Sequence, residues 1–331
     1  MADIRKEITQ QIVAALEAGT PPWRKGWTTT GGLHFNGATQ KPYRGLNQLL
    51  LGMAACQLQE MIDGKPTNTA DPRWMTMKQA NALNLKIRKG SHAAKIIRMV
   101  EVAAGTKTAD GEEELAEDKG TRLVLKLFHV FNGSQIEGLA PLPARENRVT
   151  PIEAADAIAA GMKADGITIL HGGNAASYFE RLDTVRMPEQ SAFKSTEDYY
   201  STLLHELAHA TGAEKRLKRL HRTARFGSPN YAKEELVAEI TSAMACVQVG
   251  ISMGPSHIEN HAAYIHSWVE CLKADRNAIF VAAGAAERAC EYLRKHVVEA
   301  AMAVELSGQE PAVDLSAPVI KEPKRKPGMR M

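Results

Sequence analysis

The stretch "STLLHELAHATG", residues 201–212, sets two histidines four apart with a glutamate beside the first. In an α-helix, residues i and i+4 sit about 40° apart around the axis and about 6 Å apart along it. His205 and His209 therefore face the same way, each offering a neutral imidazole nitrogen to one shared ion. Glu206 is rotated about 100° from His205, next to the open coordination position, where its carboxylate is able to take a proton from water. The competing reading is a helix that happens to carry two surface histidines.

Zinc held by three protein ligands needs one more donor. "HELAHATGAEK" (205–215) follows the metzincin pattern HExxHxxGxxH as far as Gly212, then puts Lys215 where the third histidine would stand. A protonated ammonium cannot donate to a cation. Gly212 is instead expected to end the helix in a left-handed conformation. The remaining choice is a glutamate on a second helix, the gluzincin arrangement. "SPNYAKEELVAEITSA" (228–243) begins well at Ser228-Pro229 and stacks Glu235 and Glu239 on one face. Glu235 is expected as the third ligand, with Glu239 supporting a ligand histidine from behind. His221, in the basic run "KRLKRLHRTARF", is a rival third ligand. Glu234 lies about 100° away and is expected in solvent or a salt bridge. Two stacked acids beside Leu236, Val237 and Ile240 would be costly to bury without a cation near them.

The chain has 331 residues, 44% hydrophobic and 24% charged, the balance of a globular protein with room for two domains. No stretch approaches 18 consecutive apolar residues, so no membrane span is expected. "MADIRKEITQ" lacks the apolar core of a signal peptide, and a cytoplasmic location is expected. Cys56, Cys246, Cys271 and Cys290 lie far apart and read as free thiols. The net charge of +3 hides an asymmetry: residues 1–100 carry +8 and residues 101–120 carry −5. A basic excess confined to one region points to a polyanionic partner.

Apolar residues at Ile4, Ile8, Ile12 and Leu16 predict a helix over 3–18, and a second is expected from Leu46 to Met61. "IRKGSHAAKIIRMVEVA" and "TRLVLKLFHVF" read as strands, joined by an acidic, solvated hairpin insertion at 101–120. The proline-punctuated segment "GLAPLPARENRVTP" is the best linker, giving an N-terminal domain over 1–140, a linker over 141–151 and a second domain over 152–306. That second domain should be mainly helical (152–163, 196–211, 230–249, 257–273 and 275–304), with a small sheet from "GITIL" and "YFERLDTVRMP". Residues 307–331 read as a disordered basic tail. The fold class is α+β.

The N-terminal third interleaves aromatics with cations in "PPWRKGW", "HFNGATQKPYRGLN" and "RWMTMKQANALNLKIRKG". Single-stranded nucleic acid needs both, cations for phosphates and flat rings for bases. The candidate contacts are Trp23, Arg24, Lys25, Trp27, Phe35, Tyr43, Arg44, Trp74, Lys78, Arg88 and Lys89. Core packing is the competing role for each aromatic.

These stretches, with "FHVFNGSQIEGL", "YYSTLLHELAHATG", "YAKEELVAEI" and "AAYIHSWVECL", resemble the ArdC-type antirestriction proteins of conjugative plasmids. The resemblance runs from about residue 5 to 300. It implies an N-terminal single-stranded-DNA-binding domain, shared with TraC-type plasmid primases, followed by a zincin-like metallopeptidase domain. It also implies that His205 and His209 are metal ligands, that Glu206 is the catalytic glutamate, and that the "EELVAEI" glutamates complete the site. The expected cofactor is one Zn2+ or another divalent ion. The expected partners are single-stranded DNA, possible duplex DNA, and a host restriction component as protein substrate, in a plasmid or phage protein that protects incoming DNA. The alternative is a conjugative primase or replication accessory protein whose zincin domain is structural.

Overall fold

The computed structural model describes residues 3–19, 21–25, 33–61, 71–103, 112–118, 121–142, 151–220, 228–251 and 262–306. Helix α1 (Ile4–Glu17) starts where the Asp3 side chain accepts from the Lys6 amide and buries Ile4, Ile8, Ile12 and Leu16, the four positions of its apolar stripe. A single turn, α2 (Pro22–Lys25), precedes the short strand β1 (Phe35–Asn36) and helix α3 (Leu46–Met61). Strand β2 (Arg73–Met75) leads into α4 (Met77–Ala82), held by a reciprocal capping box between Thr76 and Gln79. Then come β3 (Lys86–Ile87), β4 (Ala94–Ala103), β5 (Glu112–Asp118), β6 (Thr121–Asn132) and β7 (Ile136–Glu137).

The N-terminal sheet runs β1-β2-β6-β4, with β5 also paired to β6. The acidic insertion, expected as a solvated hairpin, is paired in a sheet over residues 112–118. Its described part is a strand antiparallel to β6, in a register that sets Glu112 opposite Lys126 and Glu117 opposite Arg122.

The C-terminal half begins with α5 (Pro151–Ala164). Three strands, β8 (Thr168–His171), β9 (Ser177–Phe179) and β10 (Thr184–Met187), form a sheet in the order β8-β10-β9. Four helices follow: α6 (Thr196–Thr211), α7 (Pro229–Val249), α8 (Ala262–Ala274) and α9 (Ala278–Leu306). Helix α7 has the expected entry, with Ser228 accepting from the Tyr231 amide and proline in the first turn, and it ends at Gly250 with φ of 82°. No described helix is long and apolar enough to cross a membrane.

One buried cluster joins Ile8, Ile12, Leu16, Trp23 and Leu49 to Leu204, Leu207, Leu236, Ile240, Trp268 and Leu293. Polar contacts reinforce this seam: Arg5 donates to Asn277 at 2.6 Å, Lys273 pairs with Glu17 at 2.9 Å, and Arg276 pairs with Asp3. A smaller cluster of Leu51, Ala55, Trp74, Ala94, Ile96 and Val130 belongs to the N-terminal sheet alone. Helices α1 and α2 are therefore structural parts of the C-terminal helical layer. Sequence periodicity identifies which face is buried, not which element covers it.

Candidate metal centre

Helix α6 is anchored by Ser195, which accepts from the Asp198 amide, and it buries His205 and Glu206 against α7. The two imidazoles converge, with Nε2 of His205 and Nε2 of His209 3.2 Å apart. From α7, Glu235 brings one carboxylate oxygen to 3.6 Å from the His205 Nε2 and the other to 3.6 Å from the His209 Nε2. All three donors lie within 4.8 Å of one another. Ligands about 2.0–2.1 Å from a tetrahedral ion sit about 3.3–3.4 Å from each other, so this donor set fits a metal of zinc's size.

Each imidazole also has a carboxylate behind it. Glu239, fully buried, faces the His205 Nδ1 at 3.6 Å, and Glu234 lies 3.3 Å from the His209 Nδ1. Such partners fix the tautomer that leaves Nε2 free to ligate. Glu234 takes the salt bridge, one of its two expected places, and it is half-buried there rather than in open solvent. It accepts from Arg219 twice, from Nε and Nη2, both at 2.8 Å. Arg219 also donates to the Ala208 carbonyl at 2.8 Å, and Arg216 to the Ala210 carbonyl at 2.6 Å, closing the C-terminal end of α6.

That folding-back explains Gly212 differently from the expected left-handed cap. Its φ is −78°. The constraint there is space: a Cβ would lie 3.0 Å from Arg219 Nη2 and from Leu220 Cγ, so those side chains would have to shift by a few tenths of an ångström. The Arg219 and Leu220 amides both donate to the Gly212 carbonyl, which brings the following segment against it. Arg219 was missed in the sequence because a run of five cations over 215–222 reads as an exposed connection. His221 and Trp27 lie outside the described residues, as do the side chains of Arg24 and Lys25.

The protonation states follow from this crowd of acids. Burial opposes a charged His205, yet Glu235 and Glu239 outweigh it and hold the pKa at about 10. His209 is likewise disfavoured by burial and held up at about 9 by Glu234 and Glu235. Burial opposes ionisation of Glu235 too, but the two imidazoles hold its pKa well below the usual carboxylate range. The cluster thus retains protons that a cation would replace.

The centre opens onto a cavity of about 1120 Å³, lined by His205, Glu206, His209, Glu235, Tyr231 and Tyr264. The two tyrosine hydroxyls are 3.1 Å apart, and burial raises the pKa of each, first among its causes. Ser177 and Tyr178 of β9, a sheet edge among the described strands, line another wall.

The proposed DNA-contact residues divide into two groups. Trp23 and Trp74 are 1% and 0% exposed. Both indole N–H groups are engaged, Trp23 with Glu239 Oε1 at 3.3 Å and Trp74 with His34 Nδ1 at 3.1 Å. Neither ring is available for a base to stack on, and core packing is their role. Tyr43 is half-buried and accepts from Asn36, and Phe35 is half-buried in β1. Arg44 is exposed but pairs with Glu287 at 3.1 Å and Glu291 at 2.6 Å on α9. Lys78, Arg88 and Lys89 are exposed.

Comparison with known proteins places both halves. Residues 2–131 match the family model for the N-terminal domain of anti-restriction factor ArdC, and residues 153–285 match that of a zincin-like metallopeptidase. The protein y4eC of Sinorhizobium fredii is 36% identical over 88% of this chain and 91% of its own length. DNA primase TraC of Escherichia coli is 34% identical over 88% of this chain, which spans only 27% of that primase. Among solved structures, the metal-free antirestriction ArdC protein from plasmid R388 is 31% identical and covers 90% of this chain and 99% of its own, with a TM-score of 0.69. Its Mn(II)-bound form gives 30% identity, 89% and 98% coverage, and a TM-score of 0.68. The chain therefore belongs to the ArdC-type antirestriction family, an α+β protein with an ArdC N-terminal domain and a zincin-like metallopeptidase domain.

Proposed function

We propose that this is a plasmid- or phage-encoded antirestriction protein that binds single-stranded DNA and hydrolyses a peptide bond at one divalent ion. The observation that carries the peptidase reading is the convergence of His205, His209 and Glu235 on one point at the mouth of a cavity that also holds Glu206. These three residues would hold the ion, with zinc as the first candidate on the chemistry of two imidazoles and a carboxylate. Manganese is the metal named for the R388 relative.

The ion, when bound, supplies Lewis acidity toward a water and a carbonyl. Glu206 takes the proton of the attacking water and passes it to the leaving amine nitrogen. Tyr231 and Tyr264, kept protonated by burial, are the donors for a developing oxyanion. At about 1120 Å³ the cavity lies near the upper end of the roughly 300–1,000 Å³ of small-molecule pockets and leaves room for a stretch of peptide. A peptide laid along the edge of β9 would gain main-chain hydrogen bonds.

The DNA reading rests on the +8 charge of residues 1–100 and on exposed Lys78, Arg88 and Lys89, with Tyr43 and Phe35 as half-buried rings. Residues 141–151 are the proposed division between the two modules. The similarity to TraC favours the second reading, a conjugative accessory protein with a structural ion.

Two assays on the full chain decide between them. Zinc-loaded protein should cleave an unstructured peptide mixture, and Glu206→Gln should lower that rate by roughly 10²–10⁴-fold. Equal cleavage by Glu206→Gln would exclude Glu206 as the base, and no cleavage by wild type would favour the accessory reading. A single-stranded oligonucleotide should bind ahead of duplex, with a salt slope of about −0.7 per phosphate contact. Salt-independent binding, or none, would refute the DNA reading.

A further inference from the structure

The contact between Trp23 and Glu239 crosses from the N-terminal region into the back of the metal centre. Glu239 is fully buried in α7, where an acid persists only with partners. One of its oxygens accepts from the Trp23 indole N–H at 3.3 Å; the other faces the His205 Nδ1 at 3.6 Å. Three groups thus stand in line: indole N–H, carboxylate, imidazole. The far ring nitrogen of that imidazole, Nε2, is the one turned toward His209 and Glu235.

The Trp23 ring is itself held. It meets Trp268 edge to face with centroids 5.6 Å apart, and Trp268 stacks on Tyr264 at 6.1 Å, the tyrosine that lines the cavity. A residue between Pro22 and the basic pair Arg24-Lys25 is therefore wedged against both the support of a ligand histidine and the aromatic wall of the site.

We propose that Trp23 is a positioning residue of the metal centre: its N–H holds the Glu239 carboxylate in the orientation that fixes the His205 ring. The affinity of the site is then set partly by the N-terminal region, outside the zincin-like domain. This rests on the reading of His205 as a ligand.

The test is Co2+ titration of metal-stripped full-length protein, read by the d–d absorption bands. Glu239→Gln should weaken Co2+ by about 10–100-fold, the usual effect of losing a carboxylate behind a ligand histidine. Trp23→Phe keeps an aromatic ring and removes the N–H; being one bond further out, it should weaken Co2+ by less, about 3–10-fold, and shift the bands. In the Glu239→Gln background, Trp23→Phe should add less than it does alone, because the uncharged amide oxygen is a weaker acceptor for the indole and no longer pairs with the His205 ring. If Trp23→Phe does not fold, benzothienylalanine at position 23 replaces the N–H by sulfur in a ring of the same size and answers the same question. A folded variant with wild-type affinity and spectrum, or one that adds its full effect to Glu239→Gln, overturns the proposal. His205→Ala separates the two claims. Retention of full affinity there defeats the metal-site reading, whereas its loss alongside an unaffected Trp23 variant defeats only the role of Trp23.

Discussion

Replacing Arg219 by alanine removes the fork that clamps Glu234 under His209. The guanidinium gives Glu234 two hydrogen bonds of 2.8 Å and the α6 end a third of 2.8 Å, through the Ala208 carbonyl. The two side chains are only 13% and 14% exposed, so solvent cannot take over the lost bonds. Breaking a buried pair from one side costs roughly 3–5 kcal/mol. His209 remains as a partner for Glu234, which places the expected loss near the low end, about 3 kcal/mol. Urea unfolding of the metal-free protein measures it. Glu234→Gln combined with Arg219→Ala should lose less than the sum of the single changes, with a coupling of about 1–3 kcal/mol. Arg219→Lys should recover only part, because an ammonium cannot reproduce the fork. Zinc affinity should also fall by about tenfold, since Glu234 no longer steadies the His209 Nδ1. A loss within about 0.5 kcal/mol, the range of ordinary surface changes, would refute the clamp.

Other outcomes follow from the same geometry. The His205 and His209 pKa values lie above the unfolded value of 6.5, so their contribution to metal-free stability is full below about pH 6.5 and is lost as pH rises through about 9–10. Chelator-treated protein should therefore weaken in urea between about pH 6.5 and about 10, and a flat profile would contradict this. Calorimetry in buffers of different ionisation enthalpy should find at least about one proton released per zinc at pH 7, because His205 and His209 hold protons there that the ion displaces. Trp74→Ala should destabilise by about 3–5 kcal/mol while its folded fraction binds DNA as wild type does; a selective loss of DNA binding would restore that ring as a base platform. Gly161→Ala, whose Cβ would fall 2.3 Å from His296, should cost about 1–3 kcal/mol and loosen α5 from α9, and an unchanged melting temperature would refute this crowding.

Helical periodicity made much of the fold legible. The stripe at Ile4, Ile8, Ile12 and Leu16 and the i,i+4 pairs on α6 and α7 need only the geometry of one helix. The convergence of Glu235 with the two histidines was likewise accessible, because chemistry restricts what the third donor can be. What sequence did not carry were relations between distant segments. A tryptophan among cations looks the same whether it meets a base or, as Trp23 does, the buried Glu239, 216 residues further along the chain. Arg219 sits in a basic run whose neighbours are solvent-facing in composition, and only the turn at Gly212 brings it back over α6. Gly212 itself was read through its dihedral preference when space was the constraint.

In the proposed function, His205, His209 and Glu235 hold a single divalent ion while Glu206 stands beside it as the base. The most direct measurement is zinc content after stripping, reloading and gel filtration of the folded full-length protein and its variants. Wild type and Glu206→Gln should each retain one ion per chain, and His205→Ala, His209→Ala and Glu235→Ala should each retain essentially none. A folded Glu235→Ala protein that still carries stoichiometric zinc at wild-type affinity would contradict the account.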